Sequence, residues 1–278
     1  MHEEHQNNCN KAIGVFDSGL GGLTVLKEIH KLLPNENLVY FGDNGRTPYG
    51  PKSRETVIRY TQQDIKFLLS QNVKMIVIAC NTASACSLDI VSEKYDIPIV
   101  EVIGPGALAA SRITKNNKVA VIGTSTTIGS RVYEKALKKV NPEITYFGKA
   151  CPLFVPLVEE GWWDKKITEE VIAEYLNPIK ALLPDTLILG CTHYPMLQET
   201  IGKVLGNEIS LVNSAATVAL EVKNQLIKRN LMRTDCASDT LGSVSYFTSD
   251  SVDKFSSLGS MFLGEDVTNV TKIDIDAF

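Results

Sequence analysis

The sequence predicts an α/β protein made of two similar, doubly wound parallel-sheet domains, with the active site in the cleft between them. Three observations carry this. Short apolar runs alternate with amphipathic helical stretches along nearly the whole chain, the pattern of a parallel sheet covered by helices on both faces. The alternation restarts once, just beyond residue 103. Two strand-end segments also recur. Ile76-Val-Ile-Ala-Cys-Asn-Thr82 matches Leu187-Ile-Leu-Gly-Cys-Thr-His193, and Gly14-Val-Phe-Asp-Ser18 matches Ala120-Val-Ile-Gly-Thr124, at nearly equal separations of 111 and 106 residues.

The elements follow in order. Ala12-Ile-Gly-Val-Phe16 reads as a buried first strand. Leu23, Leu26, Ile29 and Leu33 then recur at helical spacing, and Pro34 closes that helix. Leu38-Val-Tyr-Phe41 is the second strand. A helix over about residues 53–69 carries Val57, Ile58, Ile65, Leu68 and Leu69 on its apolar face. Met75 to Ala79 and Ile97-Pro-Ile-Val100 are the third and fourth strands. Val102-Ile-Gly-Pro-Gly106, with a Pro and two Gly, reads as a crossing between domains. Lys118 to Ile122 is a strand, Ile128 to Val140 a helix, and Ile144 to Phe147 and Thr186 to Leu189 are further strands. A second crossing falls near Asn213. The tail offers a helix at about 214–229, a polar stretch at 232–241, a strand at Ser243 to Phe247, a helix, and Lys272-Ile-Asp274. That tail is too small to bury a core alone. The expected division is therefore 1–102 plus 213–278 for the first domain and 103–212 for the second.

Composition removes several function classes. The chain of 278 residues has 28 Lys and Arg against 32 Asp and Glu, a net charge of -4. This argues against a general nucleic-acid binder, which carries a basic excess. Apolar residues at 44% are enough to offset the entropy of folding. No apolar run approaches the roughly 20 residues that span a bilayer, and the longest, Met75 to Cys80, suits a buried strand. The segment Met1-His-Glu-Glu-His-Gln-Asn-Asn8 lacks the apolar core of a signal peptide. A cytoplasmic protein with no membrane partner is expected. The six cysteines, at 9, 80, 86, 151, 191 and 236, show no CxxC pair and no zinc-ligand spacing. Free thiols and no metal are expected in a reducing compartment.

In an open parallel sheet, ligands bind beyond the carboxyl ends of the strands. Asp17 and Ser18, Cys80 with Asn81 and Thr82, Thr124 and Thr127, and Cys191 with Thr192 and His193 all fall there. A free Cys is often only a small buried hydrophobe, and that reading suits Cys9, Cys86, Cys151 and Cys236. Cys80 and Cys191 differ. Each follows a buried strand, where a helix N-terminus can lower a thiol pKa, and each precedes polar side chains. His193, two residues past a strand-end Cys, is a candidate base or thiol partner. Asp17-Ser-Gly-Leu-Gly-Gly22 fails the dinucleotide fingerprint, having Thr at 24, and lacks the P-loop Lys. It reads as a tight turn in which Asp or Ser caps a helix, whose free N–H groups can also take a carboxylate. Glu159, within Val155-Pro-Leu-Val-Glu-Glu-Gly-Trp-Trp163, reads by itself as part of a helix end. Tyr49 and Gly50 end a turn-rich loop, Asp43 to Gly50.

Together, Val15 to Gly22, Tyr40 to Asp43 with Pro48 to Gly50, Ala79 to Ser84, Val155 to Gly161 and Leu189 to Pro195 resemble glutamate racemase, of the aspartate/glutamate racemase family. The blocks come in the family's order and span about residues 12–212. The resemblance implies racemisation of L- and D-glutamate with no pyridoxal phosphate or other cofactor, supplying D-glutamate for peptidoglycan in a bacterial cytoplasm, by a homodimer. It implies Cys80 acting on the D-isomer, helped by Asp17, and Cys191 acting on the L-isomer, helped by Glu159 and His193. Asp17, Ser18, Tyr49, Gly50, Asn81, Thr82, Thr124, Thr127, Thr192 and His193 would hold the substrate. Two opposed thiols suit the chemistry, because a proton must leave one face of Cα and return to the other. Two alternatives remain open at this point: a racemase of another acidic amino acid such as aspartate, and a non-enzymatic thiol sensor of the same fold.

Overall fold

The computed structural model describes residues 8–233 and 241–278. Cys236, most of the polar stretch at 232–241 and residues 1–7 lie outside that range. In the first part of the chain, β1 (Ala12–Asp17), α1 (Leu23–Leu32), β2 (Leu38–Gly42), α2 (Arg54–Ser70), β3 (Val73–Ile78), α3 (Asn81–Lys94) and β4 (Ile99–Glu101) alternate, and α4 (Ile103–Ile113) follows. Next come β5 (Lys118–Gly123), α5 (Ser125–Gly129), α6 (Val132–Val140), β6 (Thr145–Ala150), α7 (Phe154–Glu159) and α8 (Lys166–Lys180). They lead to β7 (Thr186–Gly190), α9 (Gln198–Leu205), β8 (Ser210–Val212) and α10 (Ala215–Lys228). The tail adds β9 (Val244–Thr248), α11 (Val252–Leu263) and β10 (Val270–Lys272).

The strands form two parallel sheets, ordered β10-β9-β2-β1-β3-β4 and β6-β5-β7-β8. β2, β3 and β7 are buried along their whole length. They read as continuous apolar runs because helices cover both sheet faces. β3 starts earlier than its apolar run, at Val73, and so contains Lys74. The buried Lys74 ammonium is 2.5 Å from both Glu36 Oε2 and the Cys9 carbonyl. This pairing lets a charge sit inside a strand.

α1 turns Leu23, Val25, Leu26 and Ile29 inward, and both α10 and α11 pack on it. α2 is capped by Ser53 Oγ, which accepts the Thr56 N–H, and buries Val57, Ile65, Phe67 and Leu68.

The segment Val102–Gly106, read from sequence as a crossing between domains, lies between β4 of the first sheet and β5 of the second and forms the start of α4. Pro105 falls in the first turn, where its missing N–H is no loss. The Glu101 carboxylate accepts the N–H groups of Ile103 and Gly104, satisfying the helix start. The single helix expected over Ile128–Val140 is two helices. Thr124 Oγ1 accepts the Thr127 N–H and opens α5 ahead of it. Arg131 then turns left-handed, at φ 56°, and breaks the run. Ser130 Oγ accepts the Val132 N–H and restarts the chain as α6. No helix among the described residues is long and apolar enough to cross a membrane.

Candidate active site

The carboxyl ends of β1 and β3 face those of β5 and β7 across one small cavity. Ser18, Thr47, Pro48, Tyr49, Gly50, Cys80, Asn81, Thr82, Thr124, Val155, Cys191, Thr192 and His193 line it. Its volume of about 20 Å³ holds roughly one water. A far larger groove of about 1020 Å³ runs between α3, α4 and α6, lined by Cys86, Leu88, Ile103, Leu108, Val132 and Ala136 among others. Neither strand-end thiol reaches it. Convergent donors and thiols, and not size, make the small cavity the candidate site.

Cys80 caps α3. Its backbone is extended, and its Sγ accepts the Ala83 N–H at 3.4 Å. The thiol donates to Ser18 Oγ at 3.6 Å. The expectation that a helix start would lower this thiol's pKa is not met. Burial first, and the Asp17 carboxylate second, push it well up, and the contacts from Ala83 and Ser18 only partly oppose them. Asp17 is fully buried and accepts the N–H groups of Gly19 at 3.3 Å and Gly22 at 3.1 Å. It thus caps the glycine turn rather than α1 itself, whose N-cap Gly22 makes no side-chain cap. Burial raises the Asp17 carboxyl despite the His193 charge and these donors.

Across the cavity, Thr192 Oγ1 donates to Asp17 at 3.3 Å, tying the end of β7 to the end of β1. A hypothetical Cβ on Gly21 would lie 2.7 Å from His193 Nδ1, so the glycine lets the two loops touch. Cys191 Sγ lies 3.9 Å from His193 Nδ1. His193 Nε2 is 3.5 Å from Glu159 Oε1, an ion-pair distance without hydrogen-bond alignment. Burial works against a charged imidazole here, but Cys191 and Glu159 outweigh it and lift His193 to about 10. In turn, burial of Glu159 is overcome by His193, which holds the carboxyl below its ordinary range.

The hydroxyls meet at the other lip. Thr82 Oγ1 is 2.9 Å from Thr124 Oγ1, and Thr124 Oγ1 donates to Thr127 Oγ1 at 3.0 Å. Thr127 therefore stands behind the cavity wall, as do Asp17 and Glu159. Gly50 closes on Thr124, whose Cβ would be 2.8 Å from any Cβ there. The Tyr49 hydroxyl points away from the cavity. Its single proton lies between the carboxyl groups of the buried Asp43 and, at 2.9 Å, Asp64, within a cluster that also holds Arg46. The Tyr49 hydroxyl is thus taken up by that cluster, although the residue lines the cavity.

Thr47 was missed by sequence reading. Its Oγ1 is buried in the wall with no hydrogen-bond partner among the described residues. The signal was its place between Arg46 and Pro48, inside a loop that alone says only surface. Tyr133, whose hydroxyl donates to Asn81 Oδ1 at 2.7 Å behind the cavity wall, was missed too, and nothing in its sequence surroundings pointed there. Among the described residues no cluster of His, Cys, Asp or Glu has the makings of a metal site.

Residues 13–221 match the Asp/Glu/Hydantoin racemase family. A glutamate racemase of Geobacter metallireducens is 47% identical over 267 residues, covering 96% of this chain and 98% of the relative. The solved glutamate racemase of Francisella tularensis, in complex with D-glutamate, superposes with a TM-score of 0.90 at 39% identity, over 97% of this chain and all of that one. A glutamate racemase isoform of Bacillus anthracis also reaches 0.90, at 39% identity over 95% of this chain and 97% of its own.

Proposed function

The chain belongs to the Asp/Glu/Hydantoin racemase family, and from that premise we propose that it interconverts L- and D-glutamate by passing the Cα proton between two thiols. One observation carries this reading: Cys80 and Cys191, from the ends of strands in different sheets, line one cavity together with hydroxyl and amide groups. Glutamate enters by parting the two lips, since the cavity of about 20 Å³ admits roughly one water.

In this reading Cys191 acts on the L-isomer. Its thiolate takes the Cα proton, helped by His193 and Glu159; the Cα–H bond breaks and its electrons pass into the α-carboxylate. Cys80, kept protonated by burial and Asp17, then gives its S–H proton to the opposite face. D-glutamate forms, Cys80 is left as thiolate, and Cys191 holds the proton. The reverse reaction runs through the same steps with roles exchanged. The substrate's ammonium group offsets the cost of a thiolate at Cys80 by bringing a positive charge beside it. Ser18, Asn81, Thr82, Thr124 and Thr192, with the Tyr49–Gly50 backbone, supply fixed donors to the carboxylates and stabilise the charge that develops during abstraction. Thr127 backs Thr82 and Thr124 from behind. No cofactor sink is needed in such a scheme. A cytoplasmic homodimer feeding D-glutamate to peptidoglycan synthesis completes the proposal.

The test is direct. Purified protein, with no added cofactor, is incubated with L-glutamate or with L-aspartate, and products are resolved on a chiral column. D-glutamate should appear and approach an equal mixture. Racemisation of aspartate in preference to glutamate, or of neither, would overturn the reading.

A further inference from the structure

The break between α5 and α6 has a consequence inside the site. The left-handed Arg131 re-aims the chain so that Tyr133, the second residue of α6, is fully buried against the end of β7, α4 and the start of α3. Hypothetical Cβ atoms show how tightly it sits: on Gly190, just before Cys191, one would be 3.1 Å from the Tyr133 ring, and on Gly106 in α4 one would be 3.5 Å from its hydroxyl. The hydroxyl donates to Asn81 Oδ1 at 2.7 Å. Asn81 is the first residue of α3 and lines the cavity beside Cys80.

An amide side chain has an acceptor end and a donor end, and the two nearly superpose when flipped. The partner of one end therefore decides what the other end offers. Tyr133 occupies Oδ1, and among the described residues Nδ2 has no protein acceptor. Burial, together with Glu101 and Cys191, raises the Tyr133 phenol far above its ordinary range, so it remains a neutral donor. Were Asn81 flipped, its Nδ2 would donate to the phenol oxygen. The phenol proton would then lack an acceptor, and Oδ1 would face the cavity, repelling a carboxylate.

We infer that Tyr133 is a positioning residue: it fixes the Asn81 amide so that both Nδ2 protons face the substrate, making this corner specific for an acceptor such as a carboxylate oxygen. The inference rests on the proposed glutamate site. It also links the second sheet's α6 to a binding group carried by the first sheet's α3, so that the donor is aimed only when the two halves are packed.

Tyr133→Phe keeps the ring and its packing but frees the amide to flip. The test compares wild type, Tyr133→Phe and Asn81→Ala by glutamate binding in calorimetry, by KM and kcat, and by melting temperature. Tyr133→Phe should weaken glutamate binding and raise KM about tenfold, with kcat changed less than threefold and a melting temperature close to wild type. Asn81→Ala should weaken binding at least as much. In the double variant, the Tyr133→Phe change should add nothing further, because its effect runs through Asn81. Unchanged glutamate affinity in Tyr133→Phe, or losses that multiply in the double variant, would overturn the inference. The functional reading fails separately, if wild type binds glutamate without racemising it; the binding cycle still decides the role of Tyr133.

Discussion

The buried His193 has the half-buried Glu159 carboxylate on one side and the buried Cys191 thiol on the other. Glu159 lies 3.5 Å from Nε2 and Cys191 3.9 Å from Nδ1. Burial favours the neutral ring, yet these neighbours raise its pKa from 6.5 to about 10. The sign of the resulting pH dependence follows from linkage. The folded chain holds a proton on this ring that the unfolded chain releases at lower pH. The stability it contributes is complete below 6.5 and disappears as pH rises through 10. Denaturant titrations across that interval should show stability falling with pH in wild type. In His193→Gln that part of the fall should be missing; two parallel profiles would contradict the assignment. Cys80 shows why a thiol's reactivity was hard to read from sequence. Cys80 has the helix start that the strand–Cys–polar pattern suggested, but burial and Asp17 dominate, and neither the depth of the site nor the approach of Asp17 is written in that pattern.

The glycine turn between β1 and α1 carries the contact between the two lips, and it gives the element scale a sharp test. Gly21→Ala would drive a methyl group into Thr192 and to 2.7 Å from His193 Nδ1. Displacing a catalytic group by an ångström can cost about 10²-fold, so kcat/KM should fall by at least that order. Gly202→Ala in α9 is the counterpart: an added Cβ there meets nothing within 4 Å. It should leave turnover alone and add up to about 1 kcal/mol of stability through helix propensity, read as a rise in melting temperature. A Gly202→Ala protein that melted lower would mean that α9 is not a free helix face. At this scale much of the site was legible. Continuous apolar runs gave β1, β3, β5 and β7, and polar residues just past them identified Ser18, Asn81, Thr82, Thr124 and Thr192, because a parallel sheet puts those positions at one edge. What escaped depends on contacts between distant segments. The α5–α6 break rests on a left-handed Arg131 that periodicity does not reveal. Pro105, read with its glycines as marking a crossing, also sits in a first helical turn, which depends on where the helix begins. The Tyr49 hydroxyl is turned away by Asp43 and Asp64, of which Asp64 lies 15 residues further along.

Polar links join the two halves around the cavity, among them Thr192 to Asp17, Thr82 to Thr124, Tyr133 to Asn81 and Thr126 to the Gly50 carbonyl. A ligand that bridges both edges should tie the whole molecule together. Glutamate at 100 times its Kd should stabilise the folded state by about 2.7 kcal/mol by mass action and should shield Cys80 and Cys191 from alkylation together. Equal labelling with and without glutamate would place the thiols outside one shared site. The central claim is narrower still: each thiol serves one face of Cα. Serine at either position keeps a weak acid or base in place, so Cys80→Ser and Cys191→Ser should retain measurable turnover. Equilibrium forbids either variant from changing the ratio of kcat/KM in the two directions, so the asymmetry must be sought in the proton-abstraction step. The deciding measurement is the primary isotope effect with Cα-deuterated L- and D-glutamate in both serine variants. The account predicts a larger effect for L-glutamate in Cys191→Ser and for D-glutamate in Cys80→Ser; identical changes for both enantiomers in both variants would contradict one thiol per face.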